Sequence, residues 1–66
     1  MMIRVNGKKH SWYEGMTIKD LLKDFDDSHL YAVVRINDKY VSRPNFEKII
    51  IPDRSEVFLM PMIAGG

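Results

Sequence analysis

The 66-residue sequence contains no cysteine. It therefore offers no thiolate nucleophile, persulfide, disulfide or cysteine-type zinc site, so any sulfur or acyl chemistry must use another group. It also lacks a phosphate-binding loop and a dinucleotide fingerprint, so we expect no intrinsically bound cofactor. His10 and His29 lie in no metal-ligand or triad pattern. Each is interpreted as a surface histidine, and no metal site is predicted.

The sequence also has little net charge and no long apolar run. Ten basic and nine acidic residues give a net charge of +1. So small a net charge does not create a positive surface for a phosphate backbone, so we expect no nucleic-acid partner. No apolar run approaches the roughly 18 residues of a membrane span, and the first residues lack the apolar core of a signal peptide. We therefore expect a cytoplasmic protein with no membrane partner. Its length fits one small domain, residues 1–66, which is too small to enclose both a core and an active site.

Alternation of apolar and polar residues predicts a strand from Met2 to Asn6. Asn6-Gly7 favours a type I′ turn, and the return strand, Lys8 to Trp12, carries charges that suit a sheet edge. Trp12 is interpreted as a partly buried cap on the core.

A short helix is predicted to begin at Ile18. Thr17 is its expected N-cap, and Asp20, three residues later, completes a variant of the capping box. One apolar stripe is formed by Ile18, Leu21, Leu22 and Phe25. Asp24, Asp26 and Asp27 follow, and their negative charges oppose the helix dipole, so we expect the end of the helix to fray. We expect these carboxylates to be solvated and not to form a cation site.

Tyr31 to Ile36 is predicted to be an interior strand. The alternation places Tyr31, Val33 and Arg35 on the face opposite to Ala32, Val34 and Ile36. Asn37-Asp38 then predicts a turn into a short strand, and Pro44 disfavours helix at Arg43. Phe46 is expected to anchor the loop that follows.

The last predicted strand, Glu56 to Met60, is followed by a flexible tail, residues 62–66, with a diglycine ending. Val57 and Leu59 should face the helix, whereas Phe58 and Met60 should lie on the uncovered side of the sheet. Fully extended, the tail spans roughly 17 Å at about 3.4 Å per residue. An inert spacer is usually polar, so apolar side chains near this ending indicate a partner-binding surface, formed by Phe58, Met60, Met62 and Ile63.

The predicted order of elements is a hairpin, a crossover helix and further strands. It fits an α+β fold in which a mixed sheet of four to five strands packs on one helix, with the first and last strands parallel at its centre. This is the β-grasp, ubiquitin-like arrangement.

The whole sequence resembles the ThiS family, the sulfur carrier proteins of thiamine (thiazole) biosynthesis. The resemblance rests on Ile3-Arg4-Val5-Asn6-Gly7, Thr17-Ile18, Leu21-Leu22, Val33-Val34-Arg35-Ile36-Asn37, Val41-Ser42-Arg43, Phe46, Glu56-Val57 and Ile63-Ala64-Gly65-Gly66.

The resemblance implies a protein co-substrate and not an enzyme. Its reacting group would be the Gly66 carboxylate, with Gly65 giving access to a partner's active site, since glycine has no Cβ. A ubiquitin-activating-type adenylyltransferase would use ATP to adenylate Gly66. A sulfur-donating enzyme would allow its conversion to a thiocarboxylate, which would pass sulfur to thiazole synthase.

Three other functions remain open. Pro61 resembles the proline-containing ending of molybdopterin synthase small subunits, which use the same thiocarboxylate. The other two are a ubiquitin-like modifier joined to lysines through Gly66 and a binding module with an unused tail.

Overall fold

A computed structural model describes residues 1–27 and 30–61 of the chain. Its elements in chain order are β1 (Met2–Val5), β2 (Lys8–Ser11), α1 (Ile18–Leu22), β3 (Tyr31–Ile36), β4 (Lys39–Ser42), a 3₁₀ helix (Arg43–Asn45) and β5 (Glu56–Pro61). The strands form one mixed sheet in the order β2-β1-β5-β3-β4. The central strands β1 and β5 are parallel, and the other neighbours are antiparallel. The predicted β-grasp fold is confirmed.

The first hairpin has the predicted turn. Asn6 has φ 52° and Gly7 has φ 84°, the two left-handed residues that a type I′ turn requires. The turn places Lys9 opposite Arg4 and Lys8 opposite Val5. As expected, β2 lies at the edge of the sheet.

The helix begins where the capping pattern predicts. The Asp20 N–H donates to Thr17 Oγ1 and the Thr17 N–H donates to Asp20 Oδ2, both at 3.1 Å. The α-helix ends at Leu22, one turn before the end of its apolar stripe, and the chain tightens into i→i−3 bonds such as Phe25 N–H to the Leu22 carbonyl. Phe25 therefore packs against the core from beyond the helix end.

One apolar core fills the space between the sheet and the helix. Its buried side chains are Ile3, Val5, Met16, Ile18, Leu21, Leu22, Val34, Ile36, Phe46, Ile51, Val57 and Leu59. Trp12 packs against this core, and its Nε1–H donates to the Ile51 carbonyl at 2.7 Å, so the predicted partly buried cap is confirmed.

Two local predictions are wrong. The β3–β5 pairing shifts register between Tyr31 and Val33, so an extra residue reverses the alternation there. Tyr31 consequently packs against the core instead of facing away from it with Val33. Arg43 opens a 3₁₀ helix despite preceding Pro44, and the Phe46 N–H closes that turn by donating to the Arg43 carbonyl at 3.0 Å.

Candidate functional site

The strand that leads to the predicted reactive ending lies at the centre of the sheet. β5 pairs in parallel with β1, where Val57 lies beside Val5, and antiparallel with β3, where Phe58 lies beside Arg35. A strand paired on both sides has few ways to move. The pairing with β3 continues to Pro61, so the fold sets where the described part of β5 ends.

Side chains on β5 alternate between the core and the open face of the sheet. Val57 and Leu59 are buried in the core, whereas Phe58 and Met60 are half-buried and lie on the face that α1 leaves uncovered. The face predicted for each of the four side chains is correct. Whether Phe58 and Met60 bind a partner remains a prediction.

Arg35 covers Phe58 on this open face. Its guanidinium carbon lies 4.2 Å from the centroid of the Phe58 ring, within the range of a cation–π contact. Its Nε is buried and has no hydrogen-bond partner among the residues that the structure describes. Sequence reasoning placed Arg35 on the correct face but did not identify it as part of the site. The contact depends on the register between β3 and β5, which the alternation within each strand does not predict.

Two asparagines bind β5 from its two neighbours. Asn6 donates its N–H to the Val57 carbonyl at 2.8 Å, and its Oδ1 accepts the Leu59 N–H at 3.0 Å. On the other side, Asn37 donates its N–H to the Glu56 carbonyl at 2.8 Å, and its Oδ1 accepts the Glu56 N–H at 3.0 Å. The backbone of both asparagines adopts the left-handed conformation, with φ 52° and 53°. Each therefore makes a turn and extends the β5 ladder, a second role that sequence reasoning missed.

Pro61 ends β5 without disturbing the ladder. The Val57 carbonyl and the Leu59 N–H both point toward Asn6, and strand alternation places the Pro61 nitrogen on that same side. β1 ends at Val5, so among the described strands none reaches Pro61 on that side. A proline is tolerated where no ladder donor is lost. The local fold alone thus accommodates this residue.

Tyr31 marks the place where the described part of β5 ends. It is the register partner of Pro61, and its carbonyl accepts a hydrogen bond from the Arg43 guanidinium. The Tyr31 hydroxyl donates to Asp27 Oδ2 at 3.1 Å. Partial burial, followed by the hydrogen bond and charge of Asp27, raises the pKa of Tyr31 above its ordinary value of 10.0.

Four predicted site residues, Met62, Ile63, Gly65 and Gly66, lie outside the described residues. Their roles as partner contacts, access residue and reacting residue stay predictions. So does the expectation of a flexible tail over residues 62–66.

His10 differs from its interpretation as an isolated surface histidine. Its side chain is 20% exposed, its Nε2 lies 3.2 Å from Asp24 Oδ2, and its ring stacks on Phe25 at 6.0 Å between centroids. It therefore connects β2 to the chain beyond α1.

His29 lies outside the described residues. Within residues 1–27 and 30–61, no group of three potential metal-ligating side chains comes together, and no helix is long and apolar enough to cross a bilayer.

Comparison with known proteins assigns the sequence to a family. The sequence model of the ThiS family matches residues 3–66. The chain is 30% identical over 66 residues to the sulfur carrier protein ThiS of Escherichia coli (strain K12), covering 100% of both sequences. It is also 26% identical over 62 residues to the uncharacterized protein ycf40 of Trieres chinensis, covering 94% of this chain and 85% of that protein.

The fold is shared with a solved structure. The crystal structure of the thiamine biosynthesis protein ThiS from Geobacter metallireducens matches the whole of this chain over its own full length, with a TM-score of 0.76 and 24% sequence identity. That likeness concerns the fold. The family match spans almost the entire sequence and the Escherichia coli relative aligns from end to end; the chain therefore belongs to the ThiS family.

Proposed function

We propose that this chain carries sulfur for thiamine thiazole biosynthesis as a thiocarboxylate on Gly66. A ubiquitin-activating-type adenylyltransferase adenylates the Gly66 carboxylate with ATP. A sulfur-donating enzyme provides the sulfur, and thiazole synthase receives it. The chain is the co-substrate of these enzymes.

The observation that carries the proposal is the extent of the family match, which runs to Gly66. It thus includes the diglycine on which the proposed chemistry depends. The Escherichia coli relative that aligns over its full length is itself named a sulfur carrier protein.

The proposed chemistry needs no nucleophile from this chain other than the Gly66 carboxylate. A free carboxylate is a poor acylating group. One Gly66 carboxylate oxygen attacks the α-phosphorus of ATP, and pyrophosphate leaves. The resulting acyl adenylate has a good leaving group. When hydrosulfide, delivered by the sulfur-donating enzyme, forms a C–S bond at the carbonyl carbon, the C–O bond to AMP breaks, AMP departs and the thiocarboxylate remains. Because the sequence has no cysteine, this chain cannot supply the sulfur from a thiolate or persulfide of its own.

The geometry supports delivery of this group into another protein. β5 is fixed by β1, β3 and the two asparagines, and five residues follow Pro61. Extended, they reach roughly 17 Å from it. Gly65 and Gly66 lack the Cβ that a narrow channel would exclude.

Docking is proposed to use the open face near this ending, where Phe58 and Met60 lie half-buried. With Met62 and Ile63 they form the apolar contact for the activating enzyme and thiazole synthase. Ordering five residues costs about 1 to 2 kcal/mol each in backbone entropy, which offsets much of the contact energy. The expected affinity is therefore modest, as suits a carrier that leaves one enzyme to reach the next.

The test is to incubate the purified chain with a candidate activating enzyme and ATP and to measure AMP formation after a sulfur donor is added. Titration against thiazole synthase and against a molybdopterin synthase large subunit then separates the pathways. Exchangeable, micromolar-range binding to thiazole synthase supports the proposal. Tight and selective binding to the molybdopterin synthase subunit would instead assign the chain to that complex, to which its Pro61 ending bears a resemblance.

A further inference from the structure

A cationic groove lies on the open face of the sheet, beside the apolar residues of β5. Its volume is about 260 Å³, and it is lined by Met2, Ile3, Arg4, Lys9, Arg54, Ser55 and Glu56. Three of these residues are basic and one is acidic. The groove is thus locally positive in a chain whose net charge is only +1.

Two of the cations face each other across the first hairpin. Arg4 and Lys9 are direct register partners in β1 and β2, and both are exposed. Like charges in directly opposite positions destabilise an antiparallel pair. Glu56 is the register partner of Arg4 on the other side, but the ion pairs found among the described residues join His10 to Asp24, Lys19 to Glu47 and Lys23 to Asp20. The fold gains no ion pair from placing these two cations together.

The groove is continuous with the apolar part of the same face. Glu56, which lines the groove, is two residues from Phe58 on β5, so their side chains lie on one face of the strand. Arg35 covers the Phe58 ring and adds a further positive charge. A partner that contacts Phe58 therefore meets Arg4 and Arg35 on the two strands that flank β5.

We infer that the groove formed around Arg4, Lys9 and Arg54 docks an acidic segment of the activating enzyme when that enzyme engages Phe58 and Met60. This inference rests on the proposed function and specifies the chemistry of the partner. Charge complementarity favours an acidic occupant. The apolar residues beside the groove, Phe58 and Met60, favour a protein over a nucleic acid.

Charges at the edge of an interface act mainly on the rate of association. They steer the encounter between partners, and the effect weakens as salt screens it. The cationic groove should therefore accelerate capture of the carrier while leaving release fast. Rapid exchange between enzymes requires both.

The sequence offers a matched pair of variants. Lys8 and Lys9 are adjacent, exposed and equally charged, but Lys8 lies opposite Val5 and Lys9 lies opposite Arg4, so their side chains project from opposite faces of β2. Lys9→Glu replaces a like-charge pair with an opposite-charge pair, so it should not lower the melting temperature. Lys8→Glu makes the same change in net charge on the other face.

The experiment measures association rates of the full chain with the activating enzyme by stopped-flow fluorescence, at about 20 mM and about 0.5 M salt. We expect Lys9→Glu to slow association about tenfold at low salt, Lys8→Glu to leave it within about twofold, and high salt to abolish the difference. Equal rates for the two variants at low salt would overturn the inference. So would wild-type binding to a single-stranded oligonucleotide or to phosphatidylserine vesicles that is tighter than binding to the enzyme and is lost in Lys9→Glu. AMP formation by the wild type, measured in parallel, tests the proposed function separately.

Discussion

The Arg35 guanidinium lies 4.2 Å above the Phe58 ring, and these two residues are also register partners between β3 and β5. The contact shields one face of an aromatic ring that points away from the core. It also gives the positive charge a fixed place beside the strand that leads to Gly66. The open face of the sheet therefore holds a cationic group against an apolar ring.

Phe58→Ala is expected to weaken partner binding far more than it weakens the fold. The ring is half-buried, so its loss, with that of the Arg35 contact, should cost about 1 to 2 kcal/mol of stability. Leu22 is 4% exposed, and Leu22→Ala should cost about 2 to 5 kcal/mol. Urea denaturation measures both values. A loss from Phe58→Ala as large as that from Leu22→Ala would show that the ring belongs to the core.

Substitutions at Asn6 should separate its two roles. Asn6→Gly keeps a residue suited to positive φ but removes the Oδ1 that accepts the Leu59 N–H, at a cost of about 0.5 to 1.5 kcal/mol. Asn6→Ala removes the same acceptor and adds strain at φ 52°, so it should cost about 1 kcal/mol more. Amide exchange should show a faster Leu59 N–H in both variants. An unchanged Leu59 rate would mean that the side-chain bond does not restrain β5.

The capping box should make stability depend on acid through Asp20. Hydrogen bonds from the Thr17 backbone and side chain, assisted by Lys23, hold the pKa of the Asp20 carboxyl below its ordinary value of 3.8. A carboxyl whose folded pKa is lowered contributes stability that is present above its unfolded pKa and is lost as the pH falls through the folded pKa. Unfolding free energies measured from pH 6 to pH 2 should therefore fall less below 3.8 in Asp20→Asn, which keeps an acceptor but does not titrate. Parallel curves for the two proteins would remove Asp20 from this role.

Deleting Gly66, or replacing it with Trp, should abolish AMP formation and leave the melting temperature nearly unchanged. Every described member of the core lies within residues 3–59, so a change at Gly66 alters none of those side chains. A variant that still consumes ATP with the activating enzyme would remove Gly66 from its proposed role. Leu22→Ala is the contrasting control, since it alters the core without touching the proposed reacting residue.

Periodicity and capping chemistry predicted most of the fold. Alternation in β5 assigned Val57 and Leu59 to the face that meets the helix, and both are buried there. Thr17 predicted the first turn of the helix because its cap depends on residues only three positions apart. Such local chemistry is written in the sequence.

Features that depend on pairing between distant strands were not predictable in this way. The register shift that turns Tyr31 toward the core, the Arg35 contact with Phe58 and the Asn6 bond to Leu59 all join residues distant in sequence. The position of Arg4 beside Lys9 follows from the predicted hairpin. The sequence did not show that the groove around Arg4 and Lys9 continues to Phe58, because that continuity depends on the parallel pairing of β1 with β5.

The proposed function requires that the Gly66 carboxylate become a thiocarboxylate. Intact-mass measurement of the chain after incubation with the activating enzyme, ATP and a sulfur donor tests it most directly, with the Gly66 deletion as the control. We expect a species in which one oxygen is replaced by sulfur, formed only with ATP and absent from the deletion variant. An unchanged mass under conditions where AMP is released, or Gly66 joined to a lysine of another protein, would contradict it.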